Sequence, residues 1–243
     1  MHRFFIGADS FAGDQVTVGG ATAGQITRVL RLKPGDRVVF LDNSGWEYET
    51  EIERIQRDTV AGRIVRKSLG AAEPAIHITL CQALIKADKI EFVIQKCTEL
   101  GVKTFQPFGC ARCVATMPSD EKMTRWQAII REAAEQCGRS ILPVLQPPVH
   151  FEDLCRPSVV ASMILWERER THGLSKLLAN APFLGATVLR VIVGPEGGFT
   201  EKEIGHARNA GIVPIGLGKR VLRTETAGLA AVSAIMFERG ELG

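Results

Sequence analysis

Apolar and polar residues alternate with period two through the first third of the chain. Arg3 to Ile6 reads as one short strand. Arg37-Val-Val-Phe-Leu41 reads as another, ended by the turn residues Asp42-Asn43-Ser44-Gly45. Beyond that turn Trp46, Tyr48, Thr50 and Ile52 fall on one side of a strand, while Glu47, Glu49, Glu51 and Glu53 fall on the other. The pattern predicts a half-buried hairpin with one wet, acidic face. Thr59 to Val65 predicts a further strand. Strands at this density with glycine-rich turns predict an all-β unit of about 70 residues. Ser68-Leu-Gly-Ala-Ala-Glu-Pro74 reads as the linker that follows.

The periodicity then changes. Ile76 to Leu84 is an apolar strand, after which Ile90, Val93, Ile94, Cys97 and Leu100 recur at helical spacing and Gly101 supplies the stop. Lys86, Lys89 and Lys96 lie off that stripe. A second helix is predicted over Asp120 to Cys137, with Trp126, Ile129, Ile130, Ala133 and Cys137 on one face and Gly138 closing it. Val159 to Leu165 and Val188 to Val193 are unbroken apolar runs, as in strands buried on both faces of a parallel sheet. Strands alternating with helices predict an α/β domain from about residue 74 to the end.

Composition narrows the class. Hydrophobic residues make up 45% of the 243 and aromatics 6%, so the core is mainly aliphatic. The longest apolar runs, such as Val159 to Trp166, are too short to span a bilayer, and Arg190 interrupts the next candidate. Met1-His2-Arg3-Phe4-Phe5 opens no secretory signal core. A cytoplasmic protein with no membrane segment is expected. The net charge is +3; residues 1–73 carry equal numbers of basic and acidic side chains, so the surplus lies in the second part. That permits a nucleic-acid partner without demonstrating one. Among six cysteines there is one Cys110-x-x-Cys113 pair, with no second pair or paired histidines to complete a zinc site. Reduced thiols and no metal are expected. His2, His77, His150, His172 and His206 form no metalloprotease spacing, and no serine nucleophile elbow occurs.

Chemistry concentrates in two loops. Val188 to Val193 runs into Gly194-Pro195-Glu196-Gly197-Gly198-Phe199, and Thr200 with Glu203 forms a capping box for the next helix. Loops at the carboxyl ends of parallel strands are where α/β domains bind ligands. The spacing matches neither the dinucleotide fingerprint nor the P-loop, and a tight strand-to-helix turn is the plain alternative. The second loop is Val213-Pro-Ile-Gly-Leu217-Gly218-Lys219-Arg220-Val221-Leu222-Arg223-Thr224-Glu225-Thr226, before an apolar helix from Ala227 to Phe237. Thr224 and Thr226 are candidate caps of that helix, and Arg223 a candidate partner for Glu225. The helix carries almost no charge, so it is central in the domain or buried against a partner chain.

Gly194-Pro-Glu-Gly-Gly198 followed by Leu217-Gly-Lys-Arg-Val-Leu-Arg-Thr-Glu-Thr-Ala227 resembles the ribosomal RNA small subunit methyltransferase E family of the SPOUT superfamily. Phe92-Val-Ile-Gln-Lys-Cys-Thr-Glu-Leu-Gly101, Arg131-Glu-Ala-Ala-Glu-Gln-Cys-Gly-Arg139 and Val29-Leu-Arg-Leu-Lys-Pro-Gly-Asp36 agree with it, in order along nearly the whole chain. Gln25 departs from the histidine of many relatives.

The resemblance implies a small PUA-like, RNA-binding β-barrel over residues 1–70 and a SPOUT-type α/β methyltransferase domain with a trefoil knot over residues 74–243. It also implies a homodimer, S-adenosylmethionine as methyl donor, and methylation of N3 of a uridine in 16S ribosomal RNA, free or in the small subunit. On this reading the donor is held by Leu165, Trp166, Glu167, Gly194, Pro195, Glu196, Gly197, Gly198, Leu217, Gly218, Val221, Leu222, Arg223, Thr224 and Ala227. Arg223 steadies charge on the uracil oxygens, and Glu225 or water takes the proton. Arg3, Arg28, Arg31, Lys86, Lys89 and Arg112 are candidates for RNA phosphate contacts. The competing readings are a SPOUT enzyme for another nucleotide, a non-catalytic ribosome-assembly factor with the same fold, and a nicotinamide-dependent enzyme.

Overall fold

In the computed structural model, which describes residues 1–243, the chain divides into two units: residues 1–73 with 134–142, and residues 74–133 with 143–243. The first unit holds β1 (His2–Phe5), β2 (Phe11–Ala12), β3 (Gln15–Gly19), α1 (Gly20–Gly24), β4 (Arg37–Leu41), β5 (Trp46–Ile55) and β6 (Thr59–Leu69). Its strands make one sheet in the order β1-β4-β5-β6-β3-β2, antiparallel except for β1 beside β4. Phe4, Val16, Val18, Val38, Phe40, Ile52 and Val60 form its core, the inward half of each alternating strand.

Three expectations change here. The strand expected to stop at Val65 continues to Leu69, because Ser68 and Leu69 pair with Glu47 and Trp46, so the linker begins at Gly70. The unit is not purely β: the glycine-rich stretch after β3 forms α1, and a π-helical turn over Gln25–Val29 follows, closed by Leu30 N–H to the Gln25 carbonyl at 2.9 Å. Ala23 and Ile26 anchor these turns in the core. The acidic face of β5 is matched by arginines: Glu47 pairs with Arg3, Glu49 with Arg37 at 3.0 Å, and Glu53 with Arg63 at 3.2 Å. Residues 134–142 are fastened to this unit by polar bonds. Glu135 accepts from Phe5 N–H at 2.9 Å, Asn43 accepts from Leu142 N–H at 2.6 Å, and Glu73 takes Arg139 at 2.9 Å together with the N–H groups of Ser140 and Ile141.

The second unit comprises β7 (His77–Ala83), α2 (Ala87–Glu99), β8 (Thr104–Gly109), α3 (Asp120–Cys137, its last turn belonging to the first unit), β9 (Val144–Leu145), β10 (Val149–His150), α4 (Phe151–Leu154), β11 (Ala161–Leu165), α5 (Leu174–Leu178), β12 (Val188–Val193), α6 (Glu201–Asn209), β13 (Val213–Ile215) and α7 (Thr224–Glu238). Its sheet runs β10-β8-β7-β12-β11-β13, with β9 beside β8, and every pairing is parallel. Buried Ile78, Leu80, Met163, Leu165, Leu189, Val191 and Val193 point to one face, where α2 and α7 pack, and Cys81, Ile164 and Ile192 to the other. Unbroken apolar strands are thus buried on both sides. Val159 lies outside β11 and fully exposed, since pairing with β12 begins at Ala161. Helix α7 begins at Thr224, earlier than Ala227, because the N–H groups of Thr226 and Ala227 both return to the Arg223 carbonyl. No helix is long and apolar enough to cross a membrane.

Spatial and chain order part after β10 at one edge: the chain crosses to β11, returns to lay β12 between β7 and β11, then crosses back to place β13 on the outer side of β11. The carboxyl ends of these three strands flank a reversal in winding, where open α/β sheets leave a crevice.

Candidate functional site

Three loops leave those strand ends: Leu165-Trp166-Glu167 after β11, Gly194 to Gly198 after β12, and Leu217 to Arg223 after β13. With the first turn of α7 they line one cavity of about 430 Å³. Leu165, Trp166, Glu167, Gly194, Pro195, Glu196, Gly197, Gly198, Leu217, Gly218, Val221, Leu222, Arg223, Thr224 and Ala227 all lie on its wall, and Glu225 with them. Phe199 and Gly216 also line it, which the sequence did not indicate, as does Lys89, whose place off the apolar stripe left it to water, a ligand or RNA.

The glycine loop is shaped from behind. A Cβ on Gly194 would sit 2.8 Å from the ring of Phe199. That ring is 2% exposed, stacked on Phe108 at 6.4 Å and tilted against Phe151 at 5.4 Å, so it has nowhere to retreat. Gly198 has φ +66°, which other residues adopt with difficulty, and its N–H closes a turn on the Pro195 carbonyl at 3.0 Å. The capping box forms as expected: Glu203 N–H donates to Thr200 Oγ1 at 3.2 Å, and Glu203 Oε2 accepts from Thr200 N–H at 2.7 Å.

Thr224 has a different task from capping α7. Arg223 occupies the N-cap position without a side-chain cap, whereas the Thr224 hydroxyl donates to the Gly194 carbonyl at 2.6 Å and accepts from Gln82 Nε2 at 3.1 Å. Gln82 sits opposite Val193 in the β7–β12 register. A buried relay Gln82–Thr224–Gly194 therefore fixes the floor of the cavity. Sequence reasoning missed Gln82, although a lone amide within Leu80-Cys81-Gln82-Ala83-Leu84 was a legible signal. On the other side Arg112 Nη1 donates to the Gly197 carbonyl at 2.9 Å.

Charge on the cavity wall is balanced, with Lys89, Arg220 and Arg223 set against Glu167, Glu196 and Glu225. Lys89 Nζ bridges Glu196 at 3.4 Å and Glu225 at 3.5 Å, which leaves Arg223 exposed at the rim without an ion pair to Glu225. Glu169 shapes the loop that follows Trp166. Hydrogen bonds from Thr171, side chain and N–H, and then from His172 N–H hold its pKa down at about 2 against the opposing effect of burial. The indole N–H of Trp166 is buried with no acceptor. Apolar walls, backbone amides and carbonyls, and the carboxylates of Glu167, Glu196 and Glu225 suit an uncharged base joined to a cationic group.

The basic residues marked for RNA sit in varied surroundings. Arg28, Arg31 and Lys86 are exposed. Arg3 pairs with Glu47, Lys89 lies on the cavity wall, and Arg112 is bonded to the carbonyls of Gly197 and Phe199.

Comparison with known proteins bears on the same residues. The family model for the RNA methyltransferase domain matches residues 72–236, and that for the RNA methyltransferase PUA domain matches residues 26–65. The chain is 31% identical to the ribosomal RNA small subunit methyltransferase E of Bacillus subtilis (strain 168), across 98% of this chain and 97% of that one. It is 32% identical to the protein of that name from Synechocystis, over 96% of this chain and 77% of the other. The crystal structure of a ribosomal RNA small subunit methyltransferase E from Neisseria gonorrhoeae bound to S-adenosyl methionine superposes with a TM-score of 0.88 at 29% identity, covering 98% of each chain. The match thus spans both units and all three cavity loops, and the chain belongs to the ribosomal RNA small subunit methyltransferase E family.

Proposed function

We propose that the cavity binds S-adenosylmethionine and that the protein transfers its methyl group to N3 of a uridine in the RNA of the small ribosomal subunit, acting in the cytoplasm as a homodimer. The observation that carries this reading is the convergence of three loops at one winding reversal, with backbone groups and carboxylates facing the cavity. When bound, S-adenosylmethionine supplies an electrophilic methyl group on a sulfonium cation. The backbone of residues 194–198 and 217–222 reads the nucleoside end, and Glu196 and Glu225 compensate positive charge. The chain need only align the attacking nitrogen behind the methyl carbon, which is mainly a matter of positioning.

The uracil N3 proton must leave. Arg223, unpaired at the rim, donates to the uracil oxygens on which negative charge develops. Glu225, or a water beside it, takes the proton. Arg28, Arg31 and Lys86 contribute phosphate contacts that orient the RNA. The trefoil knot belongs to this reading too, with the chain after β13 threaded beneath the preceding loops. Exposed Phe237, on α7, supports a contact with a second copy. In Arg223→Ala, methyl transfer to small subunits should be abolished while S-adenosylmethionine affinity, read by calorimetry, stays within a few-fold. Retained turnover overturns the role of Arg223, and no binding by the parent protein overturns the cavity assignment.

A further inference from the structure

Behind the glycine loop lies a chemical group that methyl transfer does not use. The turn after β8 holds Cys110 and Cys113, whose sulfurs are 3.4 Å apart. Cys113 N–H donates to the Cys110 carbonyl at 3.1 Å, which closes the four residues into a tight turn. A disulfide needs sulfurs about 2.05 Å apart and Cα atoms within about 7 Å. The turn meets the second condition, and a movement of roughly 1.4 Å meets the first. No third His, Cys, Asp or Glu joins the pair in a metal-ligand group.

The two sulfurs are chemically unequal. The Cys110 thiol, and then the N–H groups of Cys110 and Leu84, donate to Cys113 and hold its pKa down at about 7; burial and the nearby carboxylate of Glu203 act against them. The Cys110 thiol is pushed up by the hydrogen bond to Cys113 and by burial. Elsewhere burial pushes Cys81 up to about 12 and Cys155 up to about 11. Cys113 is thus poised as a nucleophile, with Cys110 beside it as a resolving thiol; both are half-buried rather than sealed in the core.

The turn is also tied to the glycine loop. Arg112, between the two cysteines, donates to the carbonyls of Gly197 at 2.9 Å and Phe199 at 3.4 Å. Ala111 N–H donates at 2.9 Å to Glu203, the carboxylate that completes the capping box of α6. A Cβ on Gly197 would lie 3.1 Å from the Cβ of Arg112, so turn and loop pack in direct contact.

We propose that Cys110 and Cys113 form a reversible disulfide under oxidants of the peroxide class, and that closing it draws Arg112 off Gly197 and loosens the glycine loop. The Cys113 thiolate attacks a peroxide oxygen and the O–O bond breaks. One oxygen leaves as hydroxide and is protonated to water; the other remains on Cys113 as a sulfenic acid. The Cys110 sulfur then attacks Cys113 Sγ, and its thiol proton leaves with the displaced hydroxide as a second water. The two thiols lose two electrons and the peroxide gains them. A dithiol reductant reverses the bond by exchange.

The loosening stands on geometry alone, whereas a consequence for S-adenosylmethionine rests on the cofactor reading. The test treats the full chain with stoichiometric hydrogen peroxide, maps the cysteines by peptide mass spectrometry, and follows amide hydrogen exchange across residues 194–203. The expected result is a Cys110–Cys113 linkage reversed by dithiothreitol, with roughly tenfold faster exchange at the Gly198 amide, as loss of one hydrogen bond predicts. Cys110→Ser should stop at a sulfenic acid on Cys113, trapped by dimedone, with the loop's exchange unchanged. Oxidation of Cys113 without the linkage overturns the proposal, as does a linkage that leaves exchange in 194–203 untouched. Binding of S-adenosylmethionine to the reduced protein is measured alongside; its failure counts against the cofactor reading and leaves the exchange result decisive here.

Discussion

Replacing Thr224 with valine preserves the shape of the side chain and removes one hydroxyl. That hydroxyl donates to the Gly194 carbonyl at 2.6 Å and accepts from Gln82 Nε2 at 3.1 Å, in a residue only 7% exposed. Without it the carbonyl loses its donor where water scarcely reaches, at a cost of about 1–3 kcal/mol. The Gln82 amide keeps a longer bond to the Ala83 carbonyl at 3.3 Å, which softens the second loss. A net destabilisation of about 2 kcal/mol follows, a fall of roughly 4–8 °C in melting temperature for a chain of this length. Because the carbonyl belongs to the first residue of the glycine loop, part of the cost falls on ligand binding, and about 1.4 kcal/mol there is tenfold in affinity. Differential scanning calorimetry and titration with S-adenosylmethionine read the two effects, with Thr224→Ser as the control that keeps the hydroxyl. If valine matched the parent in both, or serine were as damaging as valine, the relay would not be what fixes the loop.

Other perturbations probe separate parts of the account. Gly194→Ala drives a methyl into the immobile Phe199 ring, so it should cost about 1–3 kcal/mol and abolish ligand binding; unchanged binding in a titration would show that the ring can yield. Glu169→Gln tests a carboxylate whose folded pKa, about 2, lies below its ordinary value near 4.5. Its stabilisation is complete above the ordinary value and is lost as pH falls through the folded one. The variant should therefore melt below the parent at neutral pH, and the gap should close from about pH 4.5 towards pH 2; a gap constant over that range contradicts the assignment. Glu73→Ala removes the carboxylate that holds Arg139, Ser140 N–H and Ile141 N–H, and denaturant unfolding should show a loss of about 3 kcal/mol. A loss under about 0.5 kcal/mol would place residues 139–141 under other control.

What the sequence disclosed followed from how local each feature is. Strands β4 and β12 and helix α3 begin and end where period and stop residues place them, because burial on one face or both leaves a pattern within a few residues. The loop Gly194 to Gly198 was conspicuous for the same reason. Features set by distant partners were not legible. The last turn of α3 has the same helical pattern as the rest, and its contacts, Glu135 with Phe5 N–H and Ala134 in a cluster with Phe5, Val39 and Leu41, assign it to the first unit. Strand β6 outran its apolar pattern because backbone pairing with β5 needs no particular side chain at Ser68. Thr224 had the sequence position of a cap, and the carbonyl it serves lies 30 residues earlier in the chain. Lys89, expected to face RNA, lies between two carboxylates, one from the glycine loop and one from the first turn of α7, which sequence alone could not bring beside α2.

The central claim is that this cavity performs methyl transfer to ribosomal RNA, and product analysis tests it most directly. Small ribosomal subunits from a strain lacking the protein would be incubated with it and S-adenosylmethionine carrying a labelled methyl group. Their RNA would then be digested and its nucleosides resolved by mass spectrometry. The account predicts label in N3-methyluridine, and none when Arg223→Ala replaces the parent. Label in another nucleoside would contradict the assigned acceptor, and no label from protein shown to bind the donor would contradict the assigned reaction.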